Sequence, residues 1–196
     1  MDISHLGVFM VLTTFSPGPN NISSAAMGIV YGYRKTLPYL LGITLGVFMV
    51  MGACAMLSSV LLSLVPAAEP ILKWVGSIYI LWLALSMLRA GYGISDTDAE
   101  PRAFAKGMLL QLVNPKGLVY GMTVYSTFLA PLSGHMMVLV AFGAGFALVA
   151  LASVSFWALC GAAVRNRVHR PGVRRVVNTL LCLMLVYTAA GLAGLV

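Results

Sequence analysis

Apolar runs, each long enough to cross a bilayer, follow one another along the chain and predict helices over residues 3–31, 36–64, 70–89, 103–130, 135–163 and 175–195. About 20 apolar residues in a helix cover the hydrocarbon core. Polar positions collect in the connections, which are short except for 90–102 and the basic stretch 164–174. Two of the six runs break this pattern from within. The first is interrupted by Ser16-Pro17-Gly18-Pro19-Asn20-Asn21, and the fourth by Asn114-Pro115-Lys116-Gly117. Such clusters ordinarily mark surface turns, so their place inside apolar runs calls for a physical reason.

The order of the runs supplies one. Three precede the long connection 90–102 and three follow it. Three is odd, so the halves insert with opposite orientation, which is the arrangement of inverted-repeat transporters. The chain then reads as a single all-α transmembrane domain over 1–196. Residues 1–89 form a first three-helix repeat, 90–102 a cytoplasmic connection and 103–196 a second three-helix repeat. Each repeat opens on a broken helix. Lys106 near one end of run four lies ten residues before Lys116, or about 15 Å at helical rise. Half of a ~30 Å core is the same distance, so both breaks are expected near the midplane.

Composition agrees. Of 196 residues 60% are hydrophobic and 9% charged, and mean hydropathy is +0.96. Soluble domains carry about 25% charged residues. The net charge of +7 does not point to nucleic acid, because the basic residues stand in short connections and not on one solvated face. Arg34, Lys35, Arg89, Arg102, Lys106, Arg165, Arg167, Arg170, Arg174 and Arg175 fall on one side of the six-span layout, against Lys73 on the other. The positive-inside rule places the ten in the cytoplasm and both termini outside. The acidic group Asp96, Asp98 and Glu100 reads as a solvated turn in the cytoplasmic connection. No basic residue precedes the first run, so a cleavable signal peptide is not expected.

Little else in the chain suggests chemistry. Cys54, Cys160 and Cys182 are widely spaced within apolar runs, without metal-ligand spacing, and read as small buried hydrophobes. His5, His135 and His169 fall at span ends or in loops. No deep nucleophile–base pair or paired carboxylate supports an intramembrane enzyme. No metal or cofactor is expected. A non-transporting scaffold subunit would account for small-residue faces such as Gly28/Gly32, Gly42/Gly46 and Gly117/Gly121, but not for paired midplane breaks.

A broken helix exposes backbone N–H groups at its new N-terminus and carbonyls at the preceding C-terminus. The first favour a carboxylate and the second an ammonium or other cation. A zwitterionic amino acid carries both charges. Lys116 is the one ionisable side chain placed deep in a span, and such a charge is costly enough to mark a functional position. It could contact a carboxylate, act as a proton-linked switch, or pair with helix carbonyls. Asn20, Asn21 and Asn114 could orient substrate or cap the half-helices. Gly18 and Gly117 are candidate hinges.

Pro17-Gly18-Pro19-Asn20, Asn114-Pro115-Lys116 and Leu72-Lys73-Trp74-Val75-Gly76-Ser77-Ile78-Tyr79, in this order, resemble the LysE/RhtB family of amino-acid exporters over nearly the whole chain. Pro19-Asn20-Asn21, the stretch from Tyr120 to Pro131 and the ending around Tyr187-Thr188-Ala189 resemble the cysteine and O-acetylserine branch. The resemblance implies a bacterial inner-membrane exporter of small neutral amino acids driven by the proton gradient. Homoserine, threonine or lysine are alternative substrates. By the resemblance Pro17, Gly18, Pro19, Asn20, Asn114, Pro115 and Lys116 hold the family's motif positions; together with Asn21 they are the candidate substrate site, and Lys116 is also the candidate for proton coupling. Protons, a small amino acid and the lipid bilayer are the expected partners. The glycine faces permit a homodimer.

Overall fold

A computed structural model describes residues 3–57, 71, 73–82, 84–85, 103–168 and 170–195. The described elements are all helical. They are α1 (Ile3–Phe15), α2 (Pro19–Tyr31), α3 (Tyr33–Met56), α4 (Ala103–Leu112), α5 (Pro115–Thr123), α6 (Met136–Val164) and α7 (Pro171–Ala193). A helical stretch at 73–82 belongs to the third apolar run. Three helices, Tyr33–Met56, Met136–Arg167 and Pro171–Ala193, are long and apolar enough to cross a membrane. The remainder of runs two and three, and the 90–102 connection with its acidic group, lie outside the described residues.

Both sequence breaks are breaks in the structure. Run one divides at Ser16–Gly18 into α1 and α2, and run four at Val113–Asn114 into α4 and α5. Pro19 and Pro115 each occupy the first turn of the helix that follows, where the missing N–H is not needed. Other boundaries differ from the sequence reading. Helix α3 begins at Tyr33 rather than 36, directly after Gly32, whose φ of 75° turns the chain out of α2. Helix α7 begins at Pro171 rather than 175 because proline presets the first helical φ. Arg174 therefore stands on α7 and not in the connection. Run four ends in a π-helical turn, Val124–Phe128, and a short 3-10 turn, Ala130–Leu132.

Glycine sets the closest helix contacts. A Cβ on Gly28 of α2 would collide with the backbone of Ala158 on α6, and one on Gly161 of α6 with Ala25. Likewise Gly42 of α3 meets the backbone of Phe104 and Met108 on α4, while Gly107 of α4 meets Tyr39 and Ile43. These two pairs, α2 with α6 and α3 with α4, lie at the ends of the helices next to Arg34, Lys35, Lys106 and Arg165. Away from them the packing opens. An apolar gap of about 630 Å³ separates α1 from the start of α6, lined by Leu6, Met10, Met137, Val138, Phe142, Phe146 and others.

Gly46 packs as expected, but against the Gln111 side chain. Gly117 does not serve a helix-packing face, because a Cβ there would strike the Gln111 amide. Cys54 and Cys182 are buried, whereas Cys160 is exposed on α6, against the expectation of three buried thiols. Large hydrophobic side chains face outward on every long helix, among them Leu12, Leu45, Trp74, Leu148, Phe156, Leu183 and Tyr187. A water-soluble monomer rarely exposes so much contiguous apolar surface. Facing lipid, it carries no such cost.

Candidate functional site

Helix α1 stops with its last carbonyls pointing into protein. Unpaired, each would cost several kcal/mol in a membrane interior. Each instead has a donor. Ser16 Oγ donates to Thr13 O at 2.8 Å. Thr14 O accepts from Asn21 Nδ2 at 2.7 Å and Ser153 Oγ at 2.9 Å. Phe15 O accepts from Trp157 Nε1 at 3.2 Å. Ser16 O accepts from Asn21 Nδ2 at 2.9 Å, and Pro17 O from Thr188 Oγ1 at 2.8 Å. Ser153 and Trp157 come from α6 and Thr188 from α7, so two helices of the second half hold open the break in the first.

Lys116 reaches the same place from α5. Its Nζ donates to Ser16 Oγ at 2.7 Å, Pro17 O at 3.0 Å and Ser16 O at 3.3 Å. An ammonium has three N–H donors, and all three are matched. This is the carbonyl-pairing role among the options for Lys116, and it joins the two breaks across the molecule. Gly18 makes the approach possible. Its backbone is extended, with φ −176°, which any residue adopts. A Cβ there, however, would lie 3.1 Å from Lys116 Cδ and 3.2 Å from Nζ.

The second break is closed by asparagine. Asn114 Oδ1 accepts from Lys116 N at 3.1 Å, capping α5. Its Nδ2 donates to Asn20 Oδ1 at 3.1 Å. Asn20 Nδ2 donates to Gln111 Oε1 at 2.6 Å, and Asn114 Nδ2 points to the same oxygen at 3.5 Å. Asn20 thus bridges the halves and does not cap, Asn114 does both, and Asn21 braces the α1 carbonyls. No side chain caps the N-terminus of α2.

These groups wall a cavity of about 70 Å³. Some 10–15 Å³ suffices for one water, so the space suits a handful of non-hydrogen atoms. Gly18, Pro19, Asn20, Asn21, Asn114 and Lys116 line it together. Pro17 takes part through its carbonyl. Pro115 is buried in the opposite direction, against Gly76 of the third run, and shapes the break without facing the cavity.

Sequence reasoning missed several residues here. Gln111, 1% exposed, is the acceptor on which two asparagines converge. A glutamine in an apolar run, three residues before Asn114, is the signal that marks it. Ser153 and Thr188 are similar polar interruptions of apolar helices. Tyr120 also lines the cavity, with its hydroxyl buried. Its ring lies 5.6 Å from Phe9 and edge-on to Phe146 at 5.7 Å. Phe146 belongs to the walls of both the polar cavity and the apolar gap. The Ser153→Ala variant should lower thermal stability by about 1 kcal/mol, read in a detergent melt, because Asn21 still serves the Thr14 carbonyl.

Apolar helices that turn large side chains outward around a small polar cavity are the arrangement of a membrane-embedded transport protein. Residues 11–194 match the family model of the LysE type translocator, and the chain belongs to that family. It is 33% identical over 187 residues to the cysteine/O-acetylserine efflux protein of Escherichia coli (strain K12), covering 95% of each chain. It is 32% identical over 189 residues, 96% of each chain, to the protein so named in Salmonella typhimurium. No solved structure gives a significant match.

Proposed function

We propose that this protein exports small neutral amino acids or their derivatives, cysteine and O-acetylserine first among them, from the bacterial cytoplasm across the inner membrane. The observation that carries the reading is the cavity between two helix breaks, small and walled by Gly18, Asn20, Asn114 and Lys116. Asn20, Asn21, Asn114 and Lys116, with Gly18 and Pro19, make up the substrate site, while Pro17 and Pro115 shape the two breaks that form it. The N-termini of α2 and α5 suit a carboxylate. The collected α1 carbonyls suit an ammonium. Among the described residues no acidic side chain lines the cavity, which favours neutral substrates over lysine.

In this reading the chain crosses the membrane six times as two inverted three-helix repeats, with both breaks near the midplane and both termini periplasmic. The glycine-sealed pairs then lie on the cytoplasmic side and the gap between α1 and α6 on the outer side. This is a form closed inward, with Phe146 separating the site from the outer gap. Export driven by proton antiport requires the opposite form as well, reached by rocking about the breaks.

Overproduction in a bacterial host tests the reading. Amino acids in the medium should rise several-fold over the empty vector for small neutral species and not for basic ones. An unchanged medium, with the protein present in the membrane, would count against it.

A further inference from the structure

Lys116 is a primary ammonium on a tether, and its surroundings describe what a free one would meet. Three oxygens receive it: Ser16 Oγ at 2.7 Å, Pro17 O at 3.0 Å and Ser16 O at 3.3 Å. Ser16 Oγ gives its own hydrogen to Thr13 O at 2.8 Å, so towards Lys116 it is an acceptor. All three oxygens therefore present lone pairs. A neutral amine would turn its own lone pair towards at least one of them, so the cage selects a cation with three donors. Gly18 and Lys116 line the cavity, whereas Ser16 and Pro17 do not, so the cage meets the cavity at the Lys116 Nζ that fills it. It also survives vacancy, because Ser16 O keeps Asn21 as a donor and the Thr188 hydroxyl, 2.8 Å from both Pro17 O and Met184 O, can turn its one hydrogen to Pro17.

We infer that the cage of Ser16 Oγ, Ser16 O and Pro17 O is the subsite for the α-ammonium of the transported amino acid, and that Lys116 is its internal competitor. This rests on the exporter reading above and adds how that site is coupled. Facing the cytoplasm, the Lys116 ammonium passes one proton to water and its neutral amine leaves the cage. The substrate brings its own ammonium into the cage and its carboxylate to the helix N-termini. Facing outward, a proton from the outer side returns to Lys116, whose ammonium displaces the substrate. One proton enters for each zwitterion that leaves, so one positive charge moves inward per cycle. Among the described residues that line the cavity with Lys116, from α1, α2, α3, α4 and α6, none is titratable, and on α5 the other titratable one is Tyr120. Protonation of Lys116 is thus the event that sets the affinity.

Binding to purified protein between pH 5.5 and 7.5 tests this, with O-acetylserine and ethylammonium as probes. Both stay cationic at nitrogen in that range, and ethylammonium lacks a carboxylate. Competition predicts that the Kd of the native protein for O-acetylserine rises about tenfold for each pH unit downward, because one proton is linked to each ligand. In Lys116→Met the Kd should stay within twofold over the range and lie below the native value at pH 5.5. Ethylammonium should bind that variant and not the native protein at pH 5.5. Lys116→Arg, whose charge cannot be removed, should bind neither probe at any pH. A native Kd that does not change with pH, or a folded Lys116→Met protein that binds neither probe, would overturn the proposal. If ethylammonium behaves as predicted and O-acetylserine never binds, the cage stands and the exporter reading falls. If O-acetylserine binds native and variant alike at all pH values, the exporter reading stands and the competition falls.

Discussion

Lys116→Met is expected to abolish concentrative export while leaving the amount of protein in the membrane unchanged. With two pH units imposed and the membrane potential clamped at zero, a one-proton exchanger can hold an amino-acid gradient of about a hundredfold, since 1.4 kcal/mol is worth a factor of ten. The variant should reach a ratio of one. The loss is specific to coupling because the fold around the lysine is redundantly bonded. Ser16 O keeps Asn21 as a donor, the Thr188 hydroxyl can turn its hydrogen from Met184 O to Pro17 O, and Ser16 Oγ keeps Thr13 O as its acceptor. Methionine has a similar reach past Gly18 and buries no charge, so the desolvation cost of a buried ammonium disappears with it. Vesicle accumulation assays, with immunoblots for abundance, check this directly. A variant that accumulates amino acid normally would remove Lys116 from the coupling mechanism.

The second large effect is steric. Gly28→Leu should both destabilise the protein and stop transport. A Cβ at position 28 already overlaps the backbone of Ala158, and backbone cannot rotate aside as a side chain can. Separating α2 from α6 would also pull Asn21 from Ser153, now bonded at 3.1 Å, and Trp157 from the Phe15 carbonyl. Overpacking alone costs about 1–3 kcal/mol, occasionally more, and here lost hydrogen bonds add to it. Gly191→Ala is the control. No heavy atom lies within 4 Å of its added Cβ, and alanine favours a helix interior by roughly 0.5–1 kcal/mol. The leucine variant should melt well below the native protein and the alanine variant at or slightly above it.

The two helix breaks were legible because proline, glycine and asparagine act locally. Pro17 to Pro19 cannot continue α1, and Asn114-Pro115 is an N-cap followed by a first-turn proline wherever it occurs. Lys116 was legible as costly, since charge at depth stands out against apolar neighbours. Its partners were not. Ser16 and Pro17 stand about a hundred residues earlier in the chain, and no local pattern announces that pairing. The same holds for Ser153, Trp157 and Thr188, whose donors converge on α1 only once the helices have packed. Gln111 gave a local signal, a polar residue in an apolar run, but its meaning depends on Asn20 from the other half. The helix starts at Tyr33 and Pro171 were misplaced because apolar runs record where lipid begins, whereas helices begin where a turn residue or a proline permits.

Transport by the purified protein tests the central claim most directly. Proteoliposomes containing this chain alone would be offered radiolabelled O-acetylserine, with and without an imposed pH gradient. The account predicts saturable transport that the gradient accelerates, accompanied by movement of one positive charge in the opposite direction for each amino acid. Folded protein that moves no amino acid under either condition would contradict it.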